Sequence, residues 1–334
     1  MKIAFFSTKS YDQEYFEQFN QHYGFKINYF FDNIKENDIN LTVGADAVCV
    51  FVNDRLDRKI ISLLSENGVK VILLRCAGFN NVDIESAMEF GLKVYRVPAY
   101  SPNSVAEHAV ALILTLNRKT HKAFNRVRES NFSLERLNGF DLYKKTVGVI
   151  GTGKIGAVFC TIMQGFGCNV LAYDKYENEE LKKKGVIYTS FKELITSSDI
   201  ISLHCPLVPE TKHIINAKAF SKMKKGVMLI NTSRGMLIDT KSAIKALKSK
   251  KLGYLGIDVY EQEENLFFQD LSERIIQDDV IARLTTFPNV LITAHQAFFT
   301  NEALSEIART TLNNLALFEK GESTINEVKL DGIK

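Results

Sequence analysis

No stretch of this chain is long and apolar enough to enter a bilayer. No uniformly apolar run is longer than that at residues 109–114, which falls far short of the roughly 20 residues that a membrane helix needs. The first nine residues carry too short an apolar run for the hydrophobic part of a secretory leader. Neither sign of charge prevails. Forty-two Lys and Arg stand against 39 Asp and Glu, a net charge of +3, and the surplus is dispersed. A basic surface for nucleic acid or lipid headgroups is therefore excluded. Cysteine is scarce: Cys49, Cys76, Cys160, Cys168 and Cys205 are odd in number and show no Cys-x-x-Cys spacing. Neither a disulfide framework nor a zinc cage is expected, and a soluble protein of a reducing cytoplasm fits. Repeats, low-complexity tracts and long charge runs are also missing.

What is there is ordinary globular composition, with 46% hydrophobic and 24% charged residues over 334 positions. That length suggests two domains. Short apolar runs alternate with longer amphipathic segments. Strands are expected at 2–6, 26–30, 47–52, 70–74 and 92–96, with helical patterns between them, for example at 11–23 and 56–66. A second series runs through 146–150, 169–173, 186–188, 200–204, 227–231, 254–258 and 290–293. Such alternation predicts an α/β protein with two doubly wound parallel sheets. Between the two series, residues 103–119 leave little polar face, so that helix must be buried on several sides, as at a domain or subunit interface. A closing helix is expected over 300–320, with Thr300 as its N-cap.

The sharpest local signal is Gly151-Thr152-Gly153-Lys154-Ile155-Gly156, directly after an apolar strand and before a helical pattern. Gly151 allows a tight turn, Gly153 lets the backbone approach a pyrophosphate, and Gly156 permits close helix–strand packing. The next strand ends at Asp174, 18 residues past Gly156. An acid about 20 residues on holds the adenine ribose hydroxyls and repels a 2′-phosphate, which favours NAD over NADP. Lys175 and the lysines at 182–184 either offer a phosphate a partner or form a solvated face.

Three ionisable residues follow predicted strands of the second series: Arg234, Glu263 and His295. Open α/β sheets place ligands at such ends. An arginine can hold a planar carboxylate by two hydrogen bonds, and a histidine can exchange a proton near neutral pH. A glutamate beside the histidine favours its charged form. With a nicotinamide to supply hydride, these groups suit reduction of a 2-keto acid. Each also has a plainer reading: a surface charge for Arg234, one acid of the polar run 261–264 for Glu263, a satisfied core group for His295. Spacing alone does not choose between them.

The chain resembles the NAD-dependent D-2-hydroxyacid dehydrogenases. The resemblance is carried by Arg75-Cys76-Ala77-Gly78-Phe79-Asn80-Asn81-Val82-Asp83, by the segment from Val97 to His108, and by the Gly151 turn. It continues through His204-Cys205-Pro206-Leu207, Asn231-Thr232-Ser233-Arg234-Gly235, Asp258-Val259-Tyr260-Glu261-Gln262-Glu263 and Ala294-His295-Gln296-Ala297-Phe298-Phe299-Thr300. It implies a flavodoxin-like substrate domain over 1–100, an inserted Rossmann dinucleotide-binding domain over 101–298, and a return to the substrate domain over 299–334. It places the active site in the cleft between the domains, which closes to exclude water.

The resemblance also implies roles. Arg234 grips the keto-acid carboxylate and helps polarise the carbonyl. His295 is the proton donor in reduction, and Glu263 pairs with it and keeps it charged. The backbone of Ala77 and Gly78 completes the carboxylate cradle, with Tyr100 against the substrate. Lys154 and Ile155 join the glycines at the phosphates, and Asp174 holds the ribose. Cys205 and Pro206 lie under the adenosine half with Thr211 nearby, where family members often carry Asn. Thr232, Ser233 and Asp258 lie on the nicotinamide side. Cys205 is read as a packing residue and not a nucleophile. Phe298, with Tyr100 opposite and Phe51 as a third wall, is expected to restrict the substrate to small side chains. The expected reaction is reduction of pyruvate by NADH to D-lactate. Larger branched 2-keto acids are the alternative, and an NAD-sensing corepressor is a further one, disfavoured because the chain ends soon after the closing helix. A homodimer or higher assembly through the nucleotide-binding domain is expected, on the strength of the helix 103–119.

Overall fold

The computed structural model describes residues 1–263 and 266–329; Glu264 of the polar run, and the last five positions of the expected return segment, lie outside the described residues. The chain forms two compact units. One is Met1–Ser101 with the chain from Phe298 onward, and the other is Pro102–Ala297.

In the first unit the strands are β1 (Lys2–Phe5), β2 (Lys26–Tyr29), β3 (Ala47–Val50), β4 (Val71–Leu74) and β5 (Lys93–Tyr95). They form one parallel sheet in the order β2-β1-β3-β4-β5, the flavodoxin-like order. β3 and β4 are buried along their whole length, which is why they read as unbroken apolar runs rather than as alternation. The closing helix Asn301–Glu319 packs back on this unit, against the helix Ser10–Asn20 and β4. Thr300 caps it as its sequence predicts, accepting the Ala303 amide at 3.3 Å.

The second unit carries β6 (Thr146–Ile150), β7 (Asn169–Tyr173), β8 (Ile187–Tyr188), β9 (Ile200–Leu203), β10 (Val227–Asn231), β11 (Leu252–Ile257) and β12 (Val290–Ile292). All are parallel, in the order β12-β11-β10-β9-β6-β7-β8. This is the Rossmann arrangement, extended by one strand, with its switch point between β6 and β9. Because every strand runs the same way, all seven carboxyl ends lie along one edge of the sheet.

The helix Pro102–Arg118 lies on β10 and β11 and against the helix Lys154–Gly165. Gly256 makes room for it, since a Cβ there would come within 3.1 Å of Leu116 and 3.3 Å of Leu112. Its apolar character is thus used up inside the second unit and does not itself call for a second subunit. The short helices Ile84–Glu89 and Glu179–Lys183 and the helix Thr120–Arg128 stand beyond the patterns read from the sequence. None of them has the length together with a broad apolar stripe that periodicity needs. No described helix is long and apolar enough to cross a membrane.

Candidate active site

The glycine turn after β6 has the shape its spacing predicts. Gly151 sits at φ +93°, and a Cβ on it would come within 2.5 Å of the Cys205 amide. The turn after β6 and the turn after β9 therefore touch backbone to backbone at the switch point. A Cβ on Gly156 would lie 2.0 Å from the Gly151 carbonyl oxygen, so only glycine lets the helix start this close to the strand. A Cβ on Gly153 would meet nothing within 4 Å. The helix Lys154–Gly165 begins there with no side chain capping its first amides. Free amides at a helix N-terminus on an open, Cβ-free approach form a phosphate seat.

Asp174 directly follows β7. It accepts the Thr152 amide at 2.5 Å and the Tyr176 amide at 3.0 Å, which ties it to the phosphate turn. The Thr152 hydroxyl also donates to it. On the other side of the switch point Cys205 is buried, and burial pushes its thiol up to about 11. A thiol held protonated is a packing group and not a nucleophile. The Cys205 carbonyl accepts the Ser233 hydroxyl at 2.7 Å, joining the ends of β9 and β10. Thr211 closes the loop that Pro206 opens, donating to the Pro206 carbonyl at 2.7 Å while accepting the Val208 amide at 2.9 Å.

These features fit a dinucleotide on an independent ground as well. The Thr232 hydroxyl is buried yet has no hydrogen-bond partner. A buried orphan hydroxyl costs about 1–3 kcal/mol, a cost that a polar group of a bound nicotinamide would offset.

Arg234 lies three residues beyond β10, half-buried. One of its amino groups donates to the Ser233 carbonyl at 2.7 Å. The Asn231 side chain binds both the Arg234 carbonyl and the Ser233 amide, fixing the backbone at this bend. Among the described residues Arg234 makes no ion pair with a carboxylate, so its fork is available to an anion.

His295 follows β12 by three residues. Its Nδ1 lies 2.9 Å from Glu263 Oε1, and the other Glu263 oxygen accepts the Tyr260 amide at 2.8 Å. The carboxylate is thus held by the backbone after β11 while it orients the ring, and among the described residues Nε2 has no hydrogen-bond partner. Phe268 lies alongside, its ring centroid 5.8 Å from that of His295. The histidine itself adopts φ +53°, a left-handed conformation that a side chain other than glycine holds only when its surroundings insist.

Asp258 supplies that insistence. Fully buried, it accepts the Gln296 and Ala297 amides at 2.9 Å each and the Thr293 hydroxyl at 2.5 Å. The Asp258 carbonyl also receives the His295 amide at 2.7 Å. Burial works against its charge, but hydrogen bonds from His108, Thr293 and the Ala297 amide outweigh it and keep the carboxyl below the usual range. His108 Nε2 stands 3.0 Å from the Thr293 hydroxyl and 3.5 Å from Asp258. His108 and Thr293 carry no role in the sequence reading. His108 stands there only as the last residue of the motif 97–108, and nothing in the sequence singles out Thr293.

The remaining candidates belong to the first unit. Ala77 and Gly78 follow β4 in a loop held by Arg96, which donates to the Ala77 carbonyl at 3.0 Å, and by the Cys76 thiol, 3.3 Å from the Gly78 carbonyl. Among the described residues neither amide donates to a protein acceptor, so both are free for an anion. The Phe298 ring lies 6.0 Å from Tyr100 and 6.0 Å from Phe51, forming the expected aromatic cluster.

Comparison with known proteins agrees with this geometry. Residues 110–297 match the family model for the D-isomer-specific 2-hydroxyacid dehydrogenase NAD-binding domain. The chain is 53% identical to a D-lactate dehydrogenase of Escherichia coli K12, over 98% of this chain and all of the relative. The apo structure of D-lactate dehydrogenase from Escherichia coli superposes with a TM-score of 0.91 at 51% identity, covering 98% and 100% of the two chains. A structure described as the pyruvate reductase of Chlamydomonas reinhardtii superposes with a TM-score of 0.93 at 43% identity, covering 98% of each.

Proposed function

The chain belongs to the D-isomer-specific 2-hydroxyacid dehydrogenase family, and from that premise we propose that it is a D-lactate dehydrogenase. It reduces pyruvate with NADH and a proton to D-lactate and NAD. The observation that carries this reading is the arrangement on one sheet edge. The phosphate turn, an Arg234 fork free of any carboxylate among the described residues, and a His295 ring oriented by Glu263 follow strands of a single parallel sheet.

NAD is the cofactor, and when bound its nicotinamide supplies the hydride. Gly151, Gly153, Lys154, Ile155 and Gly156 seat the phosphates, and Asp174 takes the ribose. Cys205, Pro206 and Thr211 shape the adenosine side, and Thr232 and Ser233 the nicotinamide side. Asp258 acts there indirectly, by holding the turn that carries His295. Arg234 binds the substrate carboxylate through both amino groups, and the Ala77 and Gly78 amides of the first unit suit an anion of the same kind. His295 Nε2 delivers the proton to the carbonyl oxygen as the hydroxyl forms. Tyr100 and Phe298 limit the space beside the keto carbon to a methyl group.

The protein works as a homodimer in the cytoplasm. The helix Thr120–Arg128 buries none of its residues, and Phe124, Val127, Phe132 and Leu134 are exposed in and after it. Such a cluster on one segment suits a second copy of the chain. Light scattering at working concentration checks this, and a monomeric mass would refute it.

The test of the activity is NADH absorbance with a panel of 2-keto acids. Turnover with pyruvate and formation of the D isomer of lactate are expected. NADH binding without turnover of any acid would defeat the enzymatic reading.

A further inference from the structure

We propose that Arg75 is a positioning residue for substrate size, acting through the ring of Phe51; the inference rests on the 2-keto acid reading above. Arg75 follows β4 and is 1% exposed. Its guanidinium lies between two rings, 4.5 Å from the centroid of Phe5 and 4.8 Å from that of Phe51. Its Nε is 3.5 Å from Asp12 Oδ1, and Nη2 donates to the Ser7 carbonyl at 2.8 Å. Nη1 is buried with no partner. The charge serves stability, since it pairs with buried Asp12 and works against the burial that pushes the Asp54 carboxyl up. Any cation would do that; only a planar one lying against two rings also defines where those rings sit.

The backbone of Phe51 is pinned separately. Its amide donates to Asp54 Oδ2 at 2.7 Å, and its carbonyl accepts the Asn81 side chain at 2.9 Å. Asp54 is itself anchored by the Ser7 hydroxyl at 2.7 Å, and Ser7 is the residue whose carbonyl holds Arg75. With the backbone fixed by Asp54 and Asn81, the guanidinium sets the ring. The ring in turn meets Phe298, and Phe298 meets Tyr100. One buried cation thus determines how closely the aromatic cluster is drawn together.

The experiment compares kcat and KM for pyruvate and 2-ketoisocaproate in the parent, Arg75→Lys, Phe51→Leu and the double variant. Arg75→Lys keeps the charge beside Asp12 but loses the plane. The ratio of kcat/KM for pyruvate over 2-ketoisocaproate should fall about ten-fold, the size of a methylene-scale change in a pocket. The loss should fall on the pyruvate KM more than on kcat. The double variant should shift the ratio no further than Phe51→Leu alone, because the two residues act as one unit. Equal losses for both acids, or additive shifts, would overturn the proposal. Should Arg75→Lys fail to fold, Phe5→Leu removes the second ring against which the guanidinium lies and leaves every charge in place. It should move the ratio in the same direction, and an unchanged ratio overturns the proposal. A parent that reduces no 2-keto acid defeats the underlying activity; a parent that reduces them while these variants keep its ratio defeats this inference alone.

Discussion

Glu263 Oε1 lies 2.9 Å from His295 Nδ1, and the second oxygen of the same carboxylate is held by the Tyr260 amide. The carboxylate therefore directs the ring while being unable to swing away. His295→Gln should lower the reduction rate by about 10²–10⁴, the usual contribution of a general acid. NADH affinity, read by fluorescence titration, should stay close to that of the parent, because the imidazole is proposed to serve the substrate and not the cofactor. Glu263→Gln should give an intermediate loss in kcat, since an amide orients the ring but carries no charge. A His295→Gln variant with parental turnover would remove the histidine from the mechanism.

Arg234→Lys keeps a positive charge but replaces a planar fork with a point charge. Losing one charge-assisted hydrogen bond to the keto-acid carboxylate costs about 1.5–3 kcal/mol, so KM for pyruvate should rise at least ten-fold. Steady-state kinetics decide it, and unaltered saturation would separate Arg234 from the substrate.

Asp174→Ala should weaken NADH more than NADPH. On the proposed reading the carboxylate offers hydrogen bonds to ribose hydroxyls and repels a 2′-phosphate, and both effects leave with it. An unchanged ratio of the two dissociation constants would place the ribose elsewhere.

The Asp258 carboxyl is held below the usual range because its hydrogen bonds from His108, Thr293 and Ala297 outweigh the opposing effect of burial. A depressed carboxylate contributes stability that is present above its unfolded value, near 4, and is lost as pH falls through the folded value. Asp258→Asn should therefore lower the thermal midpoint at pH 7 and differ less from the parent at pH 3. The variant should also lose turnover at pH 7, because the His295 turn loses its clamp. A midpoint difference independent of pH would contradict the assignment.

Phe298→Ala should move preference from pyruvate towards 2-ketoisocaproate by opening the space beside Tyr100. Each methylene accommodated is worth about 1–3 kcal/mol. Catalytic efficiencies for the two acids, compared in parent and variant, test this, and an equal loss for both would make Phe298 a packing residue only.

The sequence by itself determined the two sheets, because strands buried on both faces must be apolar throughout. Runs such as 47–52 and 70–74 can be nothing else when helical patterns flank them. The glycine turn was equally legible, since positive φ and contacts of 2.0 Å to a backbone oxygen leave no residue but glycine. Arg234, Glu263 and His295 were visible as residue types at strand ends, but spacing left each a plainer alternative. Only the tertiary structure decided that Glu263 reaches His295 across 32 positions of chain. The same holds for Asp258, which clamps the His295 turn, and for Arg75, which lies between Phe5 and Phe51. The reason is physical. Periodicity reports a residue's relation to its own element, whereas an ion pair or a ring stack depends on which strands the sheet places side by side. β11 and β12 are neighbours through pairing of their backbones, and no local pattern in either segment records that.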